Sequence, residues 1–357
     1  IIKHVTNANR AGARLFAFGV GYDVNTHLLD KLSEGNHGIT EYVRPNEDIE
    51  TKVSSLYAKI SSPVLTDVNL AVKGAKVKEL YPKEMPDLFK GNQLIIAGRF
   101  APGAGSATLE LTGKVDGKTR RFSFPVSFQS RRRHSFVPRV WAGRKIGYLT
   151  DEIRLHGMNE ELVAEIVRLS KRYGIITEYT SFLIRDERNF YAPEEDAAGM
   201  AMHRGVALRE AKSGAGGVGQ SQTAQKLKGQ AAGGQGTAAA PQSYYDIAGE
   251  EVEVKGIKYL GDLSFFSVDG YWTDSRYDPD KQKAVEVRAF SPAYFELLKQ
   301  APALGKFVAL GKQVILVLDD KSALKISAEE GVEELTGEQL SQLTQQVGRQ
   351  SGISASW

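Results

Sequence analysis

The run Leu15-Phe16-Ala17-Phe18-Gly19-Val20 offers no polar face, and a strand with this pattern has to be covered on both sides. The flanking residues supply the cover. Residues 1–11 can form a short amphipathic helix closed by Gly12, and Asn25 or Thr26 can cap a second helix carrying Leu28, Leu29 and Leu32 that ends at Gly35. A short strand is expected around Ile39 to Val43. Asp48 to Ser61 then places Ile49, Val53, Leu56 and Ile60 at helical spacing until Pro63 stops the helix. Helix, strand, helix, strand, helix is the alternation of an α/β unit built on a parallel sheet, here residues 1–63.

From Val64 the pattern changes to short extended runs between Gly, Pro and Asp turns, which predicts a β-sandwich over residues 64–135. Within it Phe122, Phe124, Val126 and Phe128 alternate with polar or small residues, the period of a strand with one buried face. Residues 136–190 are expected to hold a helical hairpin and a return strand: Asn159 caps a helix with Leu162, Ile166, Leu169 and Tyr173 on one face, Gly174 ends it, and Ile175 to Ile184 reads as extended. Residues 191–245 read as a helix followed by a flexible linker, because 213–243 is dominated by Gly, Ala, Gln and Ser.

Residues 246–330 form a small, mostly β unit with strands at Val252 to Tyr259, Leu263 to Val268, Tyr271 to Thr273, Ala284 to Ala289, Val314 to Leu318 and Ala323 to Ile326, broken by a helix near Ser291 to Lys299. In 331–357, Thr336 and Gln339 make a capping box, with Leu335 and Leu340 as its staple, that starts a terminal helix. The fold class is therefore α/β plus β.

Composition narrows the function classes. Lys+Arg total 46 against Asp+Glu 43, a net charge of +3 that gives no reason to expect nucleic acid as a partner. The absence of cysteine excludes disulfides, thiolate zinc sites and a cysteine nucleophile. No window reaches the ~18–20 apolar residues of a membrane helix. The first residues, Ile1-Ile2-Lys3-His4-Val5, have neither a Met start nor the features of a signal peptide, so an upstream N-terminus is expected.

Several motifs match in letters only. Gly214-x-Gly216-x-x-Gly219 has the spacing of a dinucleotide fingerprint but lies in the low-complexity tract, without a strand before it. Ser322-x-x-Lys325 sits in a turn and strand rather than on a helix, and the six His residues are scattered. The carboxylates Asp262, Asp269, Asp274, Asp278 and Asp280, with Trp272, could line a site in the 246–330 unit, although turns between strands explain them as well. The densest basic stretch supplies the anion-binding candidates Arg131, Arg132, Arg133, Arg139 and Arg144, against which stands a solvated hinge leading into the next helix.

The stretch from Leu15 to Val24, Leu28 to Leu32, Gly38 and Pro63-Val64-Leu65-Thr66-Asp67-Val68 resembles the closing half of a von Willebrand factor A domain. More narrowly, it is similar to that domain in inter-alpha-trypsin inhibitor heavy chains and their bacterial relatives. The likeness continues through Gly91 to Arg99, Val137 to Ala142 and Tyr173 to Phe182, covering about residues 1–185. The resemblance implies a preceding vault-type β domain and a divalent cation, Mg or Ca, held by an Asp-x-Ser-x-Ser loop, a Thr and an Asp in the complete A domain. None of those ligands can be placed here, so no cofactor is expected for this chain. The family's hyaluronan-esterified Asp lies in an Asp-Pro-His-Phe sequence; Asp278-Pro279 continues instead with Asp280-Lys281. The expectation is a non-catalytic interaction or adhesion module, secreted or in a cell envelope, with a protein or extracellular polysaccharide as ligand. The competing expectation is an envelope-associated polysaccharide- or anion-binding factor, or an enzyme with its active part upstream or in 246–330.

Overall fold

The computed structural model describes residues 1–101, 103–128, 136–185, 187–209, 212–229 and 243–352. At the N-terminus α1 (Ile2–Ala8), β1 (Ala17–Val20), α2 (Thr26–Glu34), β2 (Thr40–Val43) and α3 (Ile49–Ile60) alternate as the sequence predicts. β1 and β2 run parallel, with Ala17 opposite Thr40 and Val20 opposite Val43. The Asn25 side chain accepts from the amide of Leu28, and Asp48 accepts from those of Glu50 and Thr51, so each helix starts where an orphan amide finds an oxygen. The apolar run is less sealed than expected. Val20 is exposed and the residues before Gly19 are half-buried.

Six strands follow: β3 (Pro63–Lys73), β4 (Val77–Tyr81), β5 (Leu88–Phe89), β6 (Ala97–Phe100), β7 (Ser106–Val115) and β8 (Lys118–Ser127). They form an antiparallel sheet in the order β5-β3-β7-β8 and a separate β4-β6 pair. Leu111 lies opposite both Leu70 and Phe122, and Leu109 opposite both Val72 and Phe124, so six apolar side chains share one face. The alternation along β8 is as read, but its burial is not. Among the described residues β8 is an edge strand with β7 as its one neighbour, and both its phenylalanines stay exposed.

The helical body comprises α4 (Val137–His156), α5 (Glu160–Tyr173), α6 (Phe182–Arg185), a single-turn 3-10 segment Glu187–Tyr191, α7 (Glu194–Arg209) and α8 (Gly214–Lys228). Its core packs Ile146, Ile153, Ile166, Leu169, Ile176, Tyr179 and Phe190. Asn159 caps α5, and Gly174 ends it in the left-handed conformation, φ 64°. The return strand expected at Ile175 to Ile184 does not form. Thr180 Oγ1 accepts from the Thr177 amide at 3.0 Å, closing a buried turn that leads into α6.

The larger correction concerns the tract read as linker, whose residues 214–228 are helix α8, packed against α4 and α2. The reason lies in its small residues. A Cβ on Gly216 would lie 2.3 Å from the carbonyl oxygen of Ile247, so only glycine admits the neighbouring chain. Val218, Ala224 and Leu227 are fully buried, which suffices for a helix whose polar residues also find internal partners. The remainder of that tract, 230–242, lies outside the described residues.

β9 (Ser243–Tyr245) and β10 (Glu251–Glu253) form a short hairpin beside α8. The strand expected from Val252 to Tyr259 is thus two pieces, because Gly256 at φ 77° turns the chain before β11 (Ile257–Leu260). With β12 (Leu263–Val268), β13 (Tyr271–Asp274), β14 (Lys283–Arg288), β15 (Val314–Val317) and β16 (Ser322–Ser327) it builds a mixed sheet ordered β11-β12-β13-β15-β16-β14. α9 (Pro292–Gln300), α10 (Gly305–Val308) and α11 (Gly337–Gly352) accompany this sheet and its second core. Thr336 and Gln339 make the reciprocal capping bonds read from the sequence, at 3.0 and 3.3 Å.

Close packing of α4 on α8 is directly testable. A Cβ on Gly147 would sit 2.9 Å from Ala224 O and Lys228 N, so Gly147→Ala should lower the urea-unfolding free energy by about 1–3 kcal/mol. Gly199, in α7 with open space around it, is the control, and Gly199→Ala should raise stability by up to about 1 kcal/mol.

Candidate functional site

The strongest concentration of chemistry lies where the parallel pair meets the helical body. Arg154, on α4 and only 2% exposed, reaches Asp151 on its own helix at 2.7 Å and Asp30 of α2 at 3.0 Å. Asp30 also accepts hydrogen bonds from Tyr42 of β2 at 2.8 Å and from Ser221 of α8 at 2.7 Å. Lys228, at the end of α8, pairs with the second oxygen of Asp151. Two acids and two bases from three helices thus neutralise one another, with Arg154 buried at the centre and the Lys228 side chain still reaching solvent. Burial works against the charge on Arg154 and Lys228, yet the carboxylates outweigh it and hold both pKa values above their usual range.

Neighbouring contacts extend the junction. Gln225 donates to the carbonyl of Thr40 at 3.1 Å, Arg44 donates to Gln222 at 2.8 Å and lies 3.9 Å from the centre of the Tyr245 ring, and the Gly214 amide donates to the Tyr22 carbonyl at 2.8 Å. His27 is kept neutral. Burial, with Arg154 and Lys212 nearby, pushes its pKa down to about 4.

Beside this network lies a carboxyl group of a different kind. Glu178 is buried, and neither of its side-chain oxygens has a hydrogen-bond partner on another described residue. Burial pushes its pKa up to about 7, and its own backbone amide and the Arg154 cation offset only part of that.

The arginines singled out from the sequence do not assemble here. Arg131, Arg132 and Arg133 lie outside the described residues. Arg139 is buried with its guanidinium 3.6 Å from the centre of the Tyr259 ring, and buried Arg144 donates to the Ile95 carbonyl at 3.0 Å. Burial lowers the pKa of both. These two side chains tie α4 to β11 and to the segment before β6, on the protein's inside.

In the 246–330 unit the candidate carboxylates are dispersed. Asp274 is fully buried against Arg276 at 2.5 Å, Asp278 pairs with Lys281 at 2.7 Å, Asp269 holds the tight turn between β12 and β13, and Lys258 stacks on Trp272 at 4.0 Å. Among the described residues no group of three or more His, Asp or Glu side chains could hold a metal ion. Sequence reasoning passed over Asp30, Asp151, Arg154, Glu178, Ser221 and Lys228. The one available signal was the Asp151/Arg154 spacing on a helix whose following segment is rich in buried-type residues.

The described structure is mixed α/β with several sheets, consistent with a von Willebrand A-like unit joined to a β-rich region. No family model matches the sequence. Among curated proteins the chain is 26% identical over 207 residues to inter-alpha-trypsin inhibitor heavy chain H2 of Sus scrofa, covering 52% of this chain and 21% of that protein. It is 26% identical over 221 residues to heavy chain H4 of Homo sapiens, covering 58% and 24%, and 28% identical over 202 residues to human heavy chain H6, covering 52% and 15%. Over about half its length the chain is inter-alpha-trypsin inhibitor heavy chain-like, and that stretch spans about a fifth of the relatives' own length. No helix among the described residues is long and apolar enough to cross a membrane.

Two substitutions test the junction. Arg154→Met leaves Asp30 and Asp151 without their shared cation and should cost about 3–5 kcal/mol in urea unfolding at neutral pH, while Ser221→Ala, losing one hydrogen bond, should cost about 1 kcal/mol. Glu178 sets a pH dependence. Its folded pKa of about 7 exceeds its ordinary 4.5, so the native state binds the proton more tightly between these values, and stability falls as pH rises through them. Unfolding free energy relative to Glu178→Gln should drop by about 3 kcal/mol from pH 4.5 to pH 8 and level off above.

Proposed function

We propose that this chain is a non-catalytic, protein-binding module of the heavy-chain kind, whose A-like parallel pair is held in fixed orientation by the buried junction on α4 and α8. The observation that supports this most is the heavy-chain likeness over half the chain. The strongest acid–base cluster is consistent with it: Asp30, Asp151, Arg154 and Lys228 neutralise one another, as supports of the architecture. A group poised for general acid or base catalysis has to reach a substrate, whereas these side chains reach each other.

In this reading the protein is secreted or lodged in a cell envelope and its ligand is a protein or an extracellular polysaccharide. The divalent cation of A-type recognition is not held by this chain's own residues. The near balance of charge gives no global field that would favour nucleic acid.

The test is affinity capture with the intact chain, followed by intact-mass measurement of what is retained. The expected result is a stoichiometric, reversible complex with a molecule of unchanged mass, retained equally in EDTA and in magnesium. Turnover or covalent change of the retained molecule would overturn the reading. One-to-one calorimetric binding of Mg²⁺ by the chain, lost on substitution of an aspartate, would overturn its metal-free part.

A further inference from the structure

The sheet β5-β3-β7-β8 ends on a ten-residue strand, β8, with one hydrogen-bonded neighbour among the described residues. Natural proteins usually shorten, bulge or cover such an edge, because its free amides and carbonyls template further strands. Here the edge carries apolar weight. Phe122 and Phe124 are 43% and 50% exposed, and they continue the apolar face of Leu70, Val72, Leu109 and Leu111 to the rim of the sheet. The period-two geometry sets Lys118 and Arg120 on that same face, at the strand's first end. Neighbouring acids are engaged elsewhere: Glu110 with Lys73 at 2.7 Å and Asp67 with Lys114 at 2.9 Å. Among the described residues Lys118 and Arg120 have no ion-pair partner.

We propose that the open edge of β8 accepts an extended segment of a partner protein, with alternating apolar side chains beside Phe122 and Phe124 and carboxylates meeting Lys118 and Arg120. This inference rests on the interaction-module reading and names the partner's chemistry. Main-chain hydrogen bonds would supply affinity and alternate side chains selectivity, the mode of strand addition. Pro125 has no amide to donate, so pairing is confined to Lys118–Phe124.

A second copy of the chain fits the edge poorly. Antiparallel self-pairing centred on Ser123 would set Arg120 opposite Val126 and Arg121 opposite Pro125, leaving the cations without carboxylates and one position without a donor. The charge on the edge selects an acidic partner.

Fluorescence anisotropy of the intact chain with a labelled peptide of alternating valine and threonine ending in Asp-Glu provides the test. Binding should weaken at least about tenfold in Phe122→Ser/Phe124→Ser and in Arg120→Glu, and for the same peptide ending in Lys-Arg. Both phenylalanines are exposed, so the variants should keep the parent melting temperature. Should they misfold, hydrogen exchange on the unaltered chain decides, with peptide-dependent protection expected at amides 118–124. Absence of binding, binding indifferent to these changes, or protection elsewhere would overturn the proposal. A concentration-dependent dimer in sedimentation, abolished by the double serine variant, would assign the edge to self-association instead. If that variant still retains the partner captured by the intact chain, the interaction reading stands and this edge is not its site.

Discussion

Taking a guanidinium out of water is costly unless other groups replace the water, and for Arg154, almost wholly out of water, two carboxylates do so. Its two acids come from different places. Asp151 is on the same helix, while Asp30 is 124 positions away on the helix between the two parallel strands. The pair therefore fixes where α2 stands against α4. Tyr42 donates to the other oxygen of Asp30, Ser221 shares the one that Arg154 holds, and the two bring β2 and α8 to the same point. A buried ionic cluster of this kind adds little net stability compared with apolar packing, but alternative dockings of the parallel pair would leave its charges uncompensated. Orientation is what the cluster specifies.

α8 is the element that makes this arrangement possible, and its composition follows from its position. Glycines lie where the Tyr245–Ile247 backbone crosses it, and Gly147 on α4 gives way where α8 itself crosses. Ser221, Gln222 and Gln225 face the parallel pair and supply its hydrogen bonds. A helix squeezed between other elements has room for small residues and need for polar ones. That combination mimics a disordered linker on paper.

The alternation of helix and strand before Pro63, the caps at Asn25 and Asn159, the stop at Gly174 and the terminal capping box were all legible, because each depends on residues close in sequence. The misreadings share the opposite property. Ile175 to Ile184 is apolar enough for a strand, but its backbone is satisfied by the Thr177–Thr180 turn and its side chains by the helical core. β8 alternates as a half-buried strand should, yet burial depends on what lies across the sheet, which no local period encodes. Arg139 and Arg144 looked like surface cations because charge suggests water, whereas an aromatic ring and a carbonyl receive them inside. The junction was invisible for the same reason: Asp30 and Ser221 meet across 191 positions.

That separation also imposes an order of events during synthesis. Asp30 and Tyr42 leave the ribosome long before Arg154 exists, and Ser221 and Lys228 follow later still. Contacts of such wide span carry a loop-closure cost that local contacts do not, so the parallel pair must wait without its permanent support while about two hundred further residues are made. The nascent chain therefore presents β1 and β2 without that support until α8 arrives, and their window of vulnerability to wrong docking closes with it.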